Sequence, residues 1–234
     1  MLEQTARRIA AGSMAGAATL AIAGFTALGS IFDYPKILKA PTTDILAAYL
    51  GHQTTITGWF LALVISAALL APVGILLGRI TGGTLGRWIA GIGLGAAAVQ
   101  VVGLSRWVLL IPGVSDDAQV PALAAEAHHT FERLHFWLGT IMGETIGYAL
   151  TATFTVLVVV AMGRSVPQLI GYLGYVSAAL IASGVTIPLG LSGASLTNFA
   201  GYVAWCLWLI TMAVVLVRPA ARKPAMPMPA RSRV

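Results

Sequence analysis

Six apolar stretches, each long enough to cross a bilayer, occupy most of this chain: 9–32, 54–79, 86–111, 136–162, 167–189 and 195–217. A helix needs about 20 predominantly apolar residues to span the hydrocarbon core. Inside lipid a segment must satisfy its own backbone donors and acceptors, and helices do so residue by residue. The pattern therefore predicts an all-α fold: a polytopic membrane helix bundle of six transmembrane helices with short outer-face helices. Only 9% of the residues are charged, against about 25% in soluble domains, and the short connections leave no room for a soluble domain. Residues 1–217 read as a single transmembrane domain. Residues 218–234 read as a basic, Pro-rich, disordered tail lying near anionic headgroups. The first stretch is too long for a signal-peptide core and lacks a clear cleavage site, so it is expected to persist as a mature span.

Charge sets the expected topology. Arg7, Arg8, Arg79, Arg87, Arg164, Arg218, Arg222, Lys223, Arg231 and Arg233 fall on one side of the six spans, and Lys36, Lys39, Arg106 and Arg133 on the other. This asymmetry places both termini in the cytoplasm. The net charge of +6 is thus a topology signal, and no nucleic-acid partner is expected. The polar chemistry gathers on the outer side, in Asp33, Asp44, Asp116, Asp117, Glu126 and Glu132 and in His52, His128, His129 and His135.

Two outer connections carry helix signals. Pro41-Thr42-Thr43-Asp44 opens a short helix to about Leu50, with Thr or Asp side chains as caps. Val120, Leu123, Ala124, Ala127, Phe131, Leu134 and Leu138 recur at helical spacing and run into the fourth span. On that helix His128, Glu132 and His135 fall at i, i+4 and i+7, a spacing that can present metal ligands such as those of zinc. A fourth ligand is available from His129, Asp116, Asp117 or His52.

Within the fourth span stands Glu144, the one carboxylate placed inside a membrane segment. A charge there costs about 2.5–3.5 kcal/mol on insertion scales, so it needs a partner, a proton or water. On a straight α-helix, Arg133, Trp137, Thr140, Glu144, Tyr148, Thr151 and Thr155 share one face, roughly opposite His128 and His135. Gly139, Gly143 and Gly147 make two G-x-x-x-G steps that let another helix, or a partner subunit, approach closely. Arg106 of the third span lies at a matching depth, so the two charges are expected to face one another, as an ion pair or across a small polar cavity. Gln100, Ser105, Tyr148, Asn198 and Thr140 are expected to line it.

Several chemistries are excluded. No lysine lies in a span, so there is no retinal Schiff base, and four histidines are too few for the histidine boxes of membrane desaturases. Gly190-Leu191-Ser192-Gly193 resembles the Gly-x-Ser-Gly nucleophile of rhomboid proteases, but no histidine follows His135 to serve as base. The single cysteine, Cys206, permits no intrachain disulfide. No P-loop or dinucleotide fingerprint is present.

Two segments carry a family resemblance: Phe32-Asp33-Tyr34-Pro35-Lys36-Ile37-Leu38-Lys39-Ala40-Pro41, and Leu134-His135-Phe136-Trp137-Leu138-Gly139 followed by Gly143-Glu144-Thr145-Ile146-Gly147-Tyr148. With them the chain resembles a bacterial family of six-helix integral membrane proteins known only as a domain of unknown function. The resemblance implies fold and a place in the bacterial inner membrane, with His135, Glu144 and Tyr148 matching the family's Leu-His, Gly-Glu and Gly-Tyr elements. The position after the glutamate is often histidine there, where this chain has Thr145. The leading expectation is an outward-facing polar pocket around Glu144 that binds or passes a small molecule, proton or cation. The alternatives are a metal- or haem-dependent membrane enzyme using His128, Glu132 and His135, and an accessory subunit docking through its glycine stripe.

Overall fold

The structure is a computed structural model that describes residues 2–218; the tail expected beyond Arg218 lies outside the described residues. All of its regular elements are helical. α1 (Leu2–Phe32) is the first span. α3 (Gln53–Ala68) and α4 (Leu70–Thr81) together make the second, following the short α2 (Thr42–Gly51). α5 (Gly83–Leu109) is the third span and is prolonged by α6 (Ile111–Asp117). α7 (Ala124–Leu134) runs through a π-helical segment (His135–Ile146) into α8 (Gly147–Met162) as the fourth. α9 (Gln168–Ser183) and α10 (Ala194–Val217) complete the six. These helices are long and apolar enough to cross a membrane, and the chain is a multi-pass membrane protein.

Two breaks follow from proline. Pro72 has no N–H for the Ala68 carbonyl, and α3 gives way to α4 at Leu69. Pro112 similarly leaves the Val108 carbonyl without its donor, and α5 gives way to α6 at Leu110. The expected side-chain cap on α2 is not made: Pro41 is its N-cap residue, and the Thr42 hydroxyl instead donates to Glu132 Oε1 at 3.2 Å. That bond ties α2 to α7 across the face opposite the termini.

Each span packs on its neighbours in the chain, and α10 packs back on α1, closing the six into a ring. Two cores fill it. In the half near the termini, Met14, Leu77, Phe154, Trp208, Met212 and Leu216 form an apolar core. In the far half the core is aromatic and centred on Trp107, stacked on Phe60 at 4.7 Å and met edge-on by Phe32 and Phe131. The 33–52 connection, α6 and α7 cover this second core.

One of the close backbone approaches in the ring is between α5 and the π segment. A Cβ on Gly103 would lie 2.8 Å from the Leu138 carbonyl oxygen and 2.9 Å from Gly143 Cα. Only glycine permits this backbone contact, the packing device of G-x-x-x-G helices in membranes. Gly103→Ala is expected to destabilise the protein by about 1–3 kcal/mol through overpacking. Gly91→Ala, with nothing within 4 Å of its Cβ, is expected to be neutral or slightly stabilising. Paired denaturation curves in detergent check both outcomes.

Candidate functional site

The fourth span changes helix type where its chemistry lies. From His135 to Ile146 its hydrogen bonds reach five residues back: the Gly147 N–H donates to the Met142 carbonyl, and the Thr145 hydroxyl donates to the Thr140 carbonyl at 2.9 Å. Such a helix has about 4.4 residues per turn in place of 3.6. The step from His135 to Glu144 is then about two full turns, where an α-helix would make two and a half. His135, Gly139, Glu144 and Tyr148 follow this wider period at steps of four, five and four.

Two expectations are corrected by this geometry. Glu144 does not face away from His135; the π segment brings both to one side of the span. The stripe drawn through Arg133, Trp137, Thr140 and Glu144 also breaks up. Trp137 is 62% exposed on the outside of the ring, next to an exposed Phe136, and Arg133 pairs with Glu126 at 3.2 Å. Past Ile146 the α period returns, and Thr151 and Thr155 point into the bundle, fully buried.

Arg106 lies against this side. It is 4% exposed, donates from Nη1 to the Gly103 carbonyl at 2.5 Å, and sits 5.5 Å from the Trp107 ring, where a guanidinium gains from the ring's quadrupole. Its side chain occupies the space a Cβ would need at Gly139, with Nη2 at 2.8 Å from that position. Arg106 acts electrostatically on both His135 and Glu144. Glu144, half-buried, makes no hydrogen bond and no ion pair within 4.0 Å among the described residues. The direct Arg106–Glu144 ion pair is therefore not formed. The carboxylate stands near the guanidinium, with Lys39 as a second cation acting on it. Lys39 is anchored by donating from Nζ to Ser195 Oγ at 3.2 Å.

Tyr34 completes this group from the 33–41 connection. It stacks on Phe25 at 6.0 Å and meets Phe60 edge-on at 5.3 Å. Burial pushes its phenol up to about 12; the Arg106 charge opposes the rise and the Glu144 charge adds to it. Neither Tyr34 nor Lys39 was singled out from the sequence. The available signal was their place in the Phe32–Pro41 motif.

Deeper in the bundle the polar groups pair with one another. Gln100 donates to the Thr151 hydroxyl at 2.6 Å and the Trp205 indole to the Thr155 hydroxyl at 2.8 Å. Tyr148 meets Tyr202 edge-on at 5.6 Å, and Asn198 donates to the Ile181 carbonyl at 2.9 Å. Tyr148 and Asn198 both close on Gly184. Ser105 bonds to its own helix at the Val101 carbonyl. Beyond Thr155 the interior becomes apolar, with Val158, Trp208, Met212 and Leu216. The polar set thus ends midway through the ring. Neither of the two cavities described opens at Glu144: one is an open depression of about 520 Å³ at the α4–α5 turn, the other a crevice of about 40 Å³ where α8, α9 and α10 meet.

Among the described residues no three His, Cys, Asp or Glu side chains are grouped to hold a metal ion. Glu132 is engaged by Thr42 and lies 3.7 Å from His129 Nδ1. His135, where the π segment begins, lies flat on Phe131 at 5.8 Å with its Nδ1 buried and without a partner. His128 stays on α7, apart from it. The glycine stripe is used within the chain: Gly139 meets Arg106, Gly143 meets Gly103, and Gly147 meets Gln100 and Val99.

Fold and site together define a six-span helical membrane protein with a carboxylate, an arginine and a tyrosine cluster embedded at one end. The family model described as a domain of unknown function (DUF4386) matches residues 14–213, and the chain belongs to that family. No curated protein and no solved structure matches it.

If Arg106 rests on Gly139, the two are energetically coupled. Gly139→Ala is expected to destabilise the protein, and Gly139→Ala with Arg106→Leu to cost less than the sum of the single changes by about 0.5 kcal/mol or more. A double-mutant cycle of melting curves checks this, and strict additivity contradicts the contact.

Proposed function

We propose that this protein is a proton-exchanging membrane protein in which Glu144 takes up and releases a proton toward the outer side of the bacterial inner membrane, with both termini cytoplasmic. The observation that carries the reading is a carboxyl group inside a membrane span with no hydrogen-bond or ion-pair partner among the described residues. A neutral carboxylic acid relieves the cost of charge in lipid. The nearby Arg106 and Lys39 charges favour the carboxylate. In this reading the carboxyl group exchanges between the two forms. The same pair of cations repels a third, so a proton suits this site better than a metal cation, and it requires no preformed volume.

Tyr34, Tyr148, Gln100, Asn198 and Thr140 are the polar surroundings in this reading, and they set which forms of a small hydrogen-bonding solute could accompany the proton. The apolar interior beyond Thr155 argues against a continuous water-filled pore. The reading is therefore of a site entered from one face, whose proton step is coupled to binding or to a conformational change.

Infrared difference spectra of wild type against Glu144→Gln, taken across neutral pH in lipid, test the proposal directly. The expected result is a carboxylic-acid C=O band that grows on acidification, is lost in Glu144→Gln, and changes midpoint in Arg106→Met. A wild-type spectrum indistinguishable from that of Glu144→Gln at every pH overturns it.

A further inference from the structure

A second polar feature lies at the opposite end of the ring, where α4 turns into α5. The depression of about 520 Å³ there is lined by Arg79 and Arg87, by Gly82 and Gly83 of the turn, and by Ile75 and Ala90 of the two helices. Both arginines are exposed. Arg79 makes no hydrogen bond or ion pair among the described residues, and Arg87 reaches only the Thr84 hydroxyl at 3.4 Å. No Asp or Glu occurs between Asp44 and Asp116 in the sequence, and Glu3, near the N-terminus, is held by Arg7 at 2.8 Å. The two guanidinium groups thus flank an open space with no carboxylate paired to them among the described residues. Trp88, 60% exposed, follows Arg87 directly, at the level where amphipathic rings sit among headgroups.

We infer that this depression binds the phosphate group of an anionic membrane lipid. Guanidinium forks match phosphate oxygens with two parallel hydrogen bonds, and basic pockets between transmembrane helices are a recurrent way of holding acidic headgroups. Gly82 and Gly83, both at positive φ, make the tight turn that sets the two arginine-bearing helix ends side by side. Ile75 and Ala90 continue the depression into the span, where acyl chains lie, so the site presents charge and apolar surface in the order a phospholipid does. It stands apart from Glu144 and does not depend on the proton reading.

The test measures binding of short-chain phosphatidylglycerol to the full-length protein in neutral detergent by native mass spectrometry. Arg79→Gln with Arg87→Gln is expected to weaken binding about tenfold or more, since each basic residue near the surface contributes about 1 kcal/mol. Arg79→Lys with Arg87→Lys is expected to retain part of it. Arg8→Gln with Arg218→Gln, the same loss of charge elsewhere in the chain, is expected to leave it unchanged. All variants are first matched to wild type in melting temperature in phosphatidylcholine. Equal binding by the Arg79/Arg87 glutamine variant overturns the proposal, as does an equal loss in the Arg8/Arg218 variant. Displacement of the lipid by millimolar inorganic phosphate also overturns it, and assigns the depression to a soluble anion.

Discussion

The burial of Arg106 against the backbone of the fourth span organises this molecule. A guanidinium keeps its charge in essentially any protein environment, so the surroundings must accept it. Here they do so with a carbonyl from its own helix, an aromatic face, and a glycine that leaves room for the planar group. Gly103, one turn earlier on α5, touches Gly143, which fixes how closely the two spans approach. Once that distance is set, Glu144 can feel the guanidinium without touching it. A bulkier residue at Gly139 or Gly103 would alter packing and electrostatics together, because the same few atoms supply both.

The aromatic core around Trp107 extends this arrangement outward. Phe60, Phe32 and Phe131 hold the indole from three directions, and Phe131 also carries the His135 ring. Tyr34 folds back from its connection onto Phe25 and Phe60. The connection between the first two spans is thereby part of the wall around the charged group and does more than join helices. Lys39 belongs to the same segment and reaches the start of α10 at Ser195, so the first connection touches the last span. A site placed here can respond to how these outer pieces sit, while the apolar core near the termini remains sealed.

The spans were legible from the sequence because lipid imposes one rule along each apolar run. The breaks at Leu69 and Leu110 also have readable causes in Pro72 and Pro112. The site was legible in its members and not in its arrangement. Glu144 and Arg106 stand out as charges in apolar surroundings, but their relation rests on helix period, and the assumption of 3.6 residues per turn carried Trp137 to the wrong side and His135 away from Glu144. No proline marks the π segment; its clue is the spacing His135–Gly139–Glu144–Tyr148, which fits a wider turn as soon as that turn is considered. The glycine stripe shows the same limit, since periodicity identifies a close contact without saying that α5, within the same chain, supplies the other half.

The closure of α10 onto α1 gives the bundle a cyclic order of neighbours. In such an arrangement the position of the chain ends is incidental to the packing, because the seam between last and first spans resembles any other. Each helix can dock on the one inserted just before it, and no early helix has to wait for a distant partner except at the final closure. The same order makes the architecture tolerant of being cut and rejoined: a link between the ends, with a new opening within residues 190–193, would preserve the helix–helix contacts of the ring.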